Sequence, residues 1–167
     1  MKKKVFIGSD HVGYELKERI IAYLKELGYE VEDKGAYKYD LDDDYPDFII
    51  PVAKAVAKNP AEFVGIVMGG SGQGEAIAAN RIKGVRAAVF YSPCLPKHAV
   101  DAEGRQSEDP YEMIRLTREH NNANVLSIGI RFVTEEEVKK VITMWLETPF
   151  TKVERHLRRI KKIDELS

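Results

Sequence analysis

The chain is poor in the features that mark specialised classes of protein. Its one cysteine, Cys94, cannot form an internal disulfide framework, which fits a reducing compartment. It has no surplus of charge of either sign: 26 Lys and Arg face 27 Asp and Glu, so no overall field draws it to nucleic acid or an acidic membrane. No apolar run approaches the length of a membrane-spanning helix. The N-terminal MKKKVFIG starts like a secretory signal, but its apolar stretch, residues 5–8, stops at Ser9 and Asp10. Internal repeats and low-complexity segments are also missing. These absences lead to the expectation of a cytoplasmic protein that binds neither nucleic acid nor membrane. What is present is a 167-residue chain, 44% hydrophobic and 32% charged, sized for one domain (1–167) with a proper core.

Strand and helix signals alternate along the chain. Val5 to Gly8 reads as a buried strand, and Leu16, Ile20, Leu24 and Leu27 mark a helix over 13–27 that Gly28 stops. A second strand is predicted at 29–32, and Pro46 opens a helix running to about Lys58. Strands follow at 63–68, 85–90 and 125–128. Helices are predicted at 75–81, 111–119, 135–146 and 151–163. This order predicts an α/β fold in three layers: a five-stranded parallel sheet with helices on both faces, plus a C-terminal helix. Ligands of such sheets bind beyond the carboxyl ends of the strands. Residues 92–109, with Pro93, Pro96 and Gly104, exceed a normal βα connection and read as an inserted loop, either a lid or a tolerated surface insertion.

The most informative stretch is GGSGQGEAIAANRIKG, Gly69 to Gly84, where a glycine-rich turn hands a strand over to a helix with Glu75 in its first turn. Free N–H groups at a helix start attract negative charge, and glycines allow close approach. A P-loop is excluded because Gly-Lys-Ser/Thr is missing. A dinucleotide fingerprint is excluded because the turn follows a later strand and no acid stands about 20 positions on. An ordinary βα turn is the alternative.

Three further clusters carry candidate chemistry. In Ser9-Asp10-His11 the aspartate can orient an imidazole for work near neutral pH, or simply cap a helix beside an exposed His11. His120-Asn121-Asn122-Ala123-Asn124 precedes the last strand and could be polar site or turn. Arg155 and Arg159 are four apart, so a helix sets both guanidinium groups on one face, suited to a phosphate dianion or to solvent. The acidic loop DLDDDYPD, Asp40 to Asp47, has Tyr45 where a calcium loop needs its sixth-position glycine, so no metal is expected there.

Taken together, GSDHVGYELK (8–17), DYPD (44–47), GGSGQGEAIAANRIKGVRAA (69–88), HNNANVLSIGIR (120–131) and RHLRR (155–159) resemble the ribose-5-phosphate isomerase B and galactose-6-phosphate isomerase family. The resemblance covers nearly the whole chain outside 92–109. It implies a Rossmann-like fold, no metal or cofactor, and a homodimer or tetramer whose active sites draw on two subunits and interconvert aldose and ketose phosphates. It also implies roles. Asp10 and His120, the latter from the partner subunit, open the sugar ring. The N–H groups of Gly70, Gly72 and Gly74, with Asn121, stabilise the enediolate, and Ser71 helps move the proton between O1 and O2. His11, Arg131, Arg155 and Arg159 hold the phosphate, while Tyr45 and Asn80 lie near the sugar. The usual family base is a cysteine at the position of Gly69. This chain resembles the subgroup that carries Glu75 as the base instead. Ribose 5-phosphate is the expected substrate. Alternatives are a hexose 6-phosphate (allose or galactose) and a non-catalytic sugar-phosphate sensor.

Overall fold

A computed structural model describes residues 2–166. It contains five strands, β1 (Lys4–Ser9), β2 (Val31–Asp33), β3 (Phe63–Gly69), β4 (Ala87–Phe90) and β5 (Val125–Gly129). Six α-helices accompany them: α1 (Tyr14–Glu26), α2 (Pro46–Ala57), α3 (Gln73–Ala79), α4 (Glu112–Glu119), α5 (Glu135–Glu147) and α6 (Glu154–Asp164). The sheet has the order β2-β1-β3-β5-β4 with every pairing parallel, as the alternation of elements predicts.

The period of two along each strand sorts the core into two layers. Val5, Ile7, Ile66, Met68, Leu126 and Ile128 face one side, where Ile20 and Leu24 of α1, Ile114 of α4 and Val138, Val141, Ile142 and Trp145 of α5 cover them. Phe6, Val67 and Val125 face the other, under Ile49, Val52 and Val56 of α2 and Ala79 of α3. Helix α5 starts at a capping box in which Thr134 Oγ1 accepts from Glu137 N at 3.2 Å and Glu137 Oε2 accepts from Thr134 N at 2.8 Å.

Element boundaries move by a few residues from the sequence reading, for local reasons. Tyr29 is not in β2, because its N–H donates to Leu24 O at 3.0 Å while Gly28, at φ 78, donates to Lys25 O, closing α1 in a Schellman arrangement. Val85 and Arg86 precede β4: Val85 N closes a turn on Ile82 O, and Arg86 N donates to the Asn124 side chain at 2.8 Å. Helix α3 starts at Gln73, two residues earlier than expected, since Gly72 ends the preceding turn in the left-handed region at φ 75. Residues 91–111 form a loop joining β4 to α4.

The chain leaves β1 toward β2 on one side and returns to β3 on the other. Adjacent strands β1 and β3 therefore send their following loops apart, opening a crevice at their carboxyl ends.

Candidate active site

Both loops at this crevice carry chemistry. After β1, Asp10 Oδ1 accepts from Val12 N at 3.0 Å, capping the short 3-10 turn His11–Gly13 and fixing both residues at the strand end. After β3, the glycine turn is tied to β5: Ser127 Oγ donates to Gly72 O at 2.6 Å, and Arg131 N donates to Gly70 O at 3.2 Å. Backbones touch here. A Cβ on Gly72 would come within 2.9 Å of Gly129 N, so the left-handed residue must also be the smallest. Ser127 is buried, and nothing about a serine inside an apolar strand marks it as the anchor of a turn 55 residues away.

Glu75 lies in the first turn of α3 and is only 5% exposed. Its carboxylate fills the space in front of Gly69: a Cβ there would overlap Oε1 and Cδ and lie 2.9 Å from Oε2. Burial pushes the Glu75 carboxyl above the usual range; its own backbone N–H partly offsets this and the nearby Asp10 charge adds to it. Asp10 is raised for the same leading reason, burial, with the Val12 N–H opposing. Tyr45 closes one side, its hydroxyl 2.9 Å from where a Gly74 Cβ would be, and the Arg131 guanidinium lies over Gly70, with Cζ 3.2 Å from a Cβ built there. Ser71 is exposed, and its Oγ accepts from Gln73 N at 3.3 Å.

His11 extends the site. Its Nδ1 meets Asp43 Oδ1 at 2.6 Å, a contact that raises the imidazole above its ordinary value. Asp43, in the acidic 40–47 loop, is largely buried, 8% exposed at its side chain, and lies 32 residues from its partner. Only folding brings the two together. Asp10, His11 and Asp43 present donor atoms within 4.8 Å of one another. Asp10 Oδ1 is engaged by Val12 N and Asp43 Oδ1 by His11.

The structure thus assembles Asp10, His11, Tyr45, Gly70, Ser71, Gly72, Gly74, Glu75 and Arg131 at the carboxyl ends of the strands. It does not bring the others there within one chain. His120 ends α4 and Asn121 follows it, both ahead of β5, at the opposite edge of the sheet. There His120 stacks on the buried His156 of α6, ring centroids 4.4 Å apart, and Arg155 pairs with Glu103 through contacts of 2.7 and 3.1 Å. Arg159 is exposed on the same helix. Asn80 ends α3 at that edge too, and its amide is used on the β4 backbone, accepting from Ala87 N at 2.8 Å and donating to Ala87 O at 3.0 Å. One chain therefore carries two groups of candidate residues at opposite ends of its sheet.

A doubly wound α/β protein with a carboxylate seated in a glycine-lined crevice, and cationic side chains beside it, is an arrangement suited to proton transfer on a small anionic substrate. The model of the Ribose/Galactose Isomerase family matches residues 5–104 and 108–163, and the chain belongs to that family. Ribose-5-phosphate isomerase B of Mycobacterium tuberculosis is 42% identical over 162 residues, spanning 97% of this chain and 88% of the relative. The Escherichia coli ribose-5-phosphate isomerase B is 37% identical across 96% of this chain and 94% of its own. Among solved structures, ribose-5-phosphate isomerase B of Mycoplasma genitalium with bound ribulose-5-phosphate superposes with a TM-score of 0.84 at 39% identity, covering 98% of this chain and 95% of that one.

Proposed function

We propose that this protein interconverts ribose 5-phosphate and ribulose 5-phosphate through a cis-enediolate, with Glu75 as the base. The observation that carries this reading is the buried Glu75 carboxylate filling the space before Gly69, next to Asp10 and the glycine turn. The full-length similarity to ribose-5-phosphate isomerases B supports the choice of substrate.

The route is the one that the family resemblance implies. Asp10, together with His120 of a second copy, moves the proton that opens the furanose ring. Glu75 takes the C2 proton; the C–H electron pair becomes the C1–C2 double bond, and the carbonyl pair moves onto O1. N–H groups of the glycine turn, pre-oriented and shielded, stabilise that oxyanion, with the second copy's Asn121 assisting. Ser71 relays the hydroxyl proton from O2 to O1, and Glu75 returns its proton to C1, leaving a carbonyl at C2. Every step is a proton transfer, so no redox cofactor or metal enters the route. A raised pKa makes the Glu75 carboxylate a stronger base. His11 and Arg131 hold the phosphate from this chain, and Arg155 and Arg159 from the second copy.

The homodimer is part of the proposal. Its support is the separation of His120 and Arg155 from Glu75 in a single chain, and the exposed apolar Ile77, Phe132 and Leu157 available for burial between copies. The exposed lone Cys94 supports a reducing, cytoplasmic setting, and no helix among the described residues is long and apolar enough to cross a membrane.

The test is turnover of a panel of ribose, allose and galactose phosphates by wild type and Glu75→Gln, with C2 proton exchange followed in deuterated water. Ribose 5-phosphate should give the highest kcat/KM, and Glu75→Gln should lose both turnover and exchange. A Glu75→Gln protein with wild-type exchange would rule out this base.

A further inference from the structure

We propose that Asp43 is a positioning residue for the isomerase reaction: by gripping His11 at Nδ1 it sets the tautomer and charge with which the imidazole meets the substrate's phosphate. The proposal rests on the reading of His11 as a phosphate contact. The two side chains meet at 2.6 Å, and the same Asp43 oxygen also accepts from the His11 backbone N–H at 3.2 Å. Two contacts to one carboxylate oxygen fix both the backbone and the ring. With Nδ1 committed to the carboxylate as a donor, Nε2 is the nitrogen left for a ligand.

The other Asp43 oxygen sharpens the point. Oδ2 is buried and has no hydrogen-bond partner among the described residues. A buried carboxylate with so few donors is costly unless a positive charge stands against it. The imidazolium of His11 is that charge, so burial of Asp43 and protonation of His11 support each other. The remaining groups around His11 only modulate this. Asp10, from the end of β1, and Asp40, in the same loop as Asp43, favour the cation, whereas Arg131, from beyond β5, opposes it. The Tyr39 ring stands edge-on at 6.3 Å. Glu15 and Arg131 line the same recess, of about 420 Å³, as His11 and Leu41. Without Asp43, burial, with a smaller push from Arg131, would draw the imidazole toward neutrality, and the recess would keep one firm cation instead of two.

Three variants test this on the full-length enzyme. Asp43→Asn keeps an acceptor for the Nδ1 proton but removes the charge; Asp43→Ala removes both; His11→Asn removes the imidazole. Imidazole titration and tautomer are read from nitrogen and carbon NMR shifts, and kcat and KM for ribose 5-phosphate are measured across pH. In wild type, KM should stay low up to the raised pKa of His11 and climb above it. In Asp43→Asn the climb should begin at lower pH, giving a KM roughly tenfold higher just below the wild-type break, a larger change than in kcat. The Ala variant should add a mixture of tautomers. The substrate's second phosphate ionisation, near pH 6, affects every variant alike and does not mimic the shift. Unchanged His11 titration in both Asp43 variants overturns the proposal, as does an unmoved KM profile when His11→Asn does raise KM. If His11→Asn itself leaves KM at its wild-type value, the phosphate contact is wrong and the proposal falls with it, a pattern distinct from the first two.

Discussion

Gly69 and Glu75 share one volume. The glycine at the end of β3 has no side chain, and the glutamate one helical turn into the next element folds its carboxylate back into the vacancy, leaving no room for a Cβ. The resemblance noted in the sequence puts a cysteine at position 69 in most of the family. The geometry explains why the two arrangements exclude each other: a side chain at 69 and this Glu75 rotamer cannot coexist.

Gly69→Ala should expel the carboxylate from its seat and lower kcat by roughly 10²-fold or more, within the range general base catalysis supplies, with a smaller change in KM. Steady-state kinetics with ribose 5-phosphate check it. A Gly69→Ala enzyme of undiminished kcat would show that the seat of the carboxylate is not where the base works.

Stability should move the opposite way to activity at Glu75. A carboxyl whose folded pKa lies above its unfolded value binds more protons in the native state, so its contribution to stability is present at low pH and is lost as pH rises through the folded pKa. Ionisation of Glu75 is therefore a burden on the fold. Glu75→Gln should raise Tm at pH 7, and the gain should vanish below the ordinary carboxylate range, near pH 4. Thermal melts of both proteins across pH read this directly.

Arg155 is engaged in this chain by Glu103 of the 91–111 loop, through two contacts. If Arg155 serves the phosphate, Glu103 competes for it. Glu103→Ala should lower KM a few-fold at low ionic strength, and the difference should fade as salt rises, because the pair is solvent-exposed. KM measured at low and high salt for both proteins decides it; a KM that rises in the variant would mean the loop positions the arginine instead.

Sharing of sites between two copies predicts complementation. Glu75→Gln and His120→Ala homodimers should each be nearly inactive. Co-expression, or unfolding and refolding of an equal mixture, should recover about one quarter of wild-type activity, since half the dimers are mixed and one site in each is intact. No recovery from verified heterodimers would exclude the arrangement.

Much of this molecule was legible in its sequence. Period-two alternation of Val5, Phe6 and Ile7 fixes which side chain meets α1 and which meets α2, because successive residues of a strand point to opposite faces. The alternating strands and helices determine a parallel sheet, and the glycines after β3 determine an anion-friendly turn at its carboxyl edge. What spacing cannot express is distance between elements. That Asp43 reaches His11, that Ser127 anchors Gly72, and that His120 and Arg155 stand at the far edge from Glu75 depend on strand order and on which loops face one another. Local sequence sets local geometry through backbone sterics and periodicity, but side chains far apart in the chain meet only once the core has packed and chosen the neighbours of each strand. That packing alone decided where Glu75 sits, why position 69 must be empty, and that the two groups of candidate residues lie at opposite ends of the sheet.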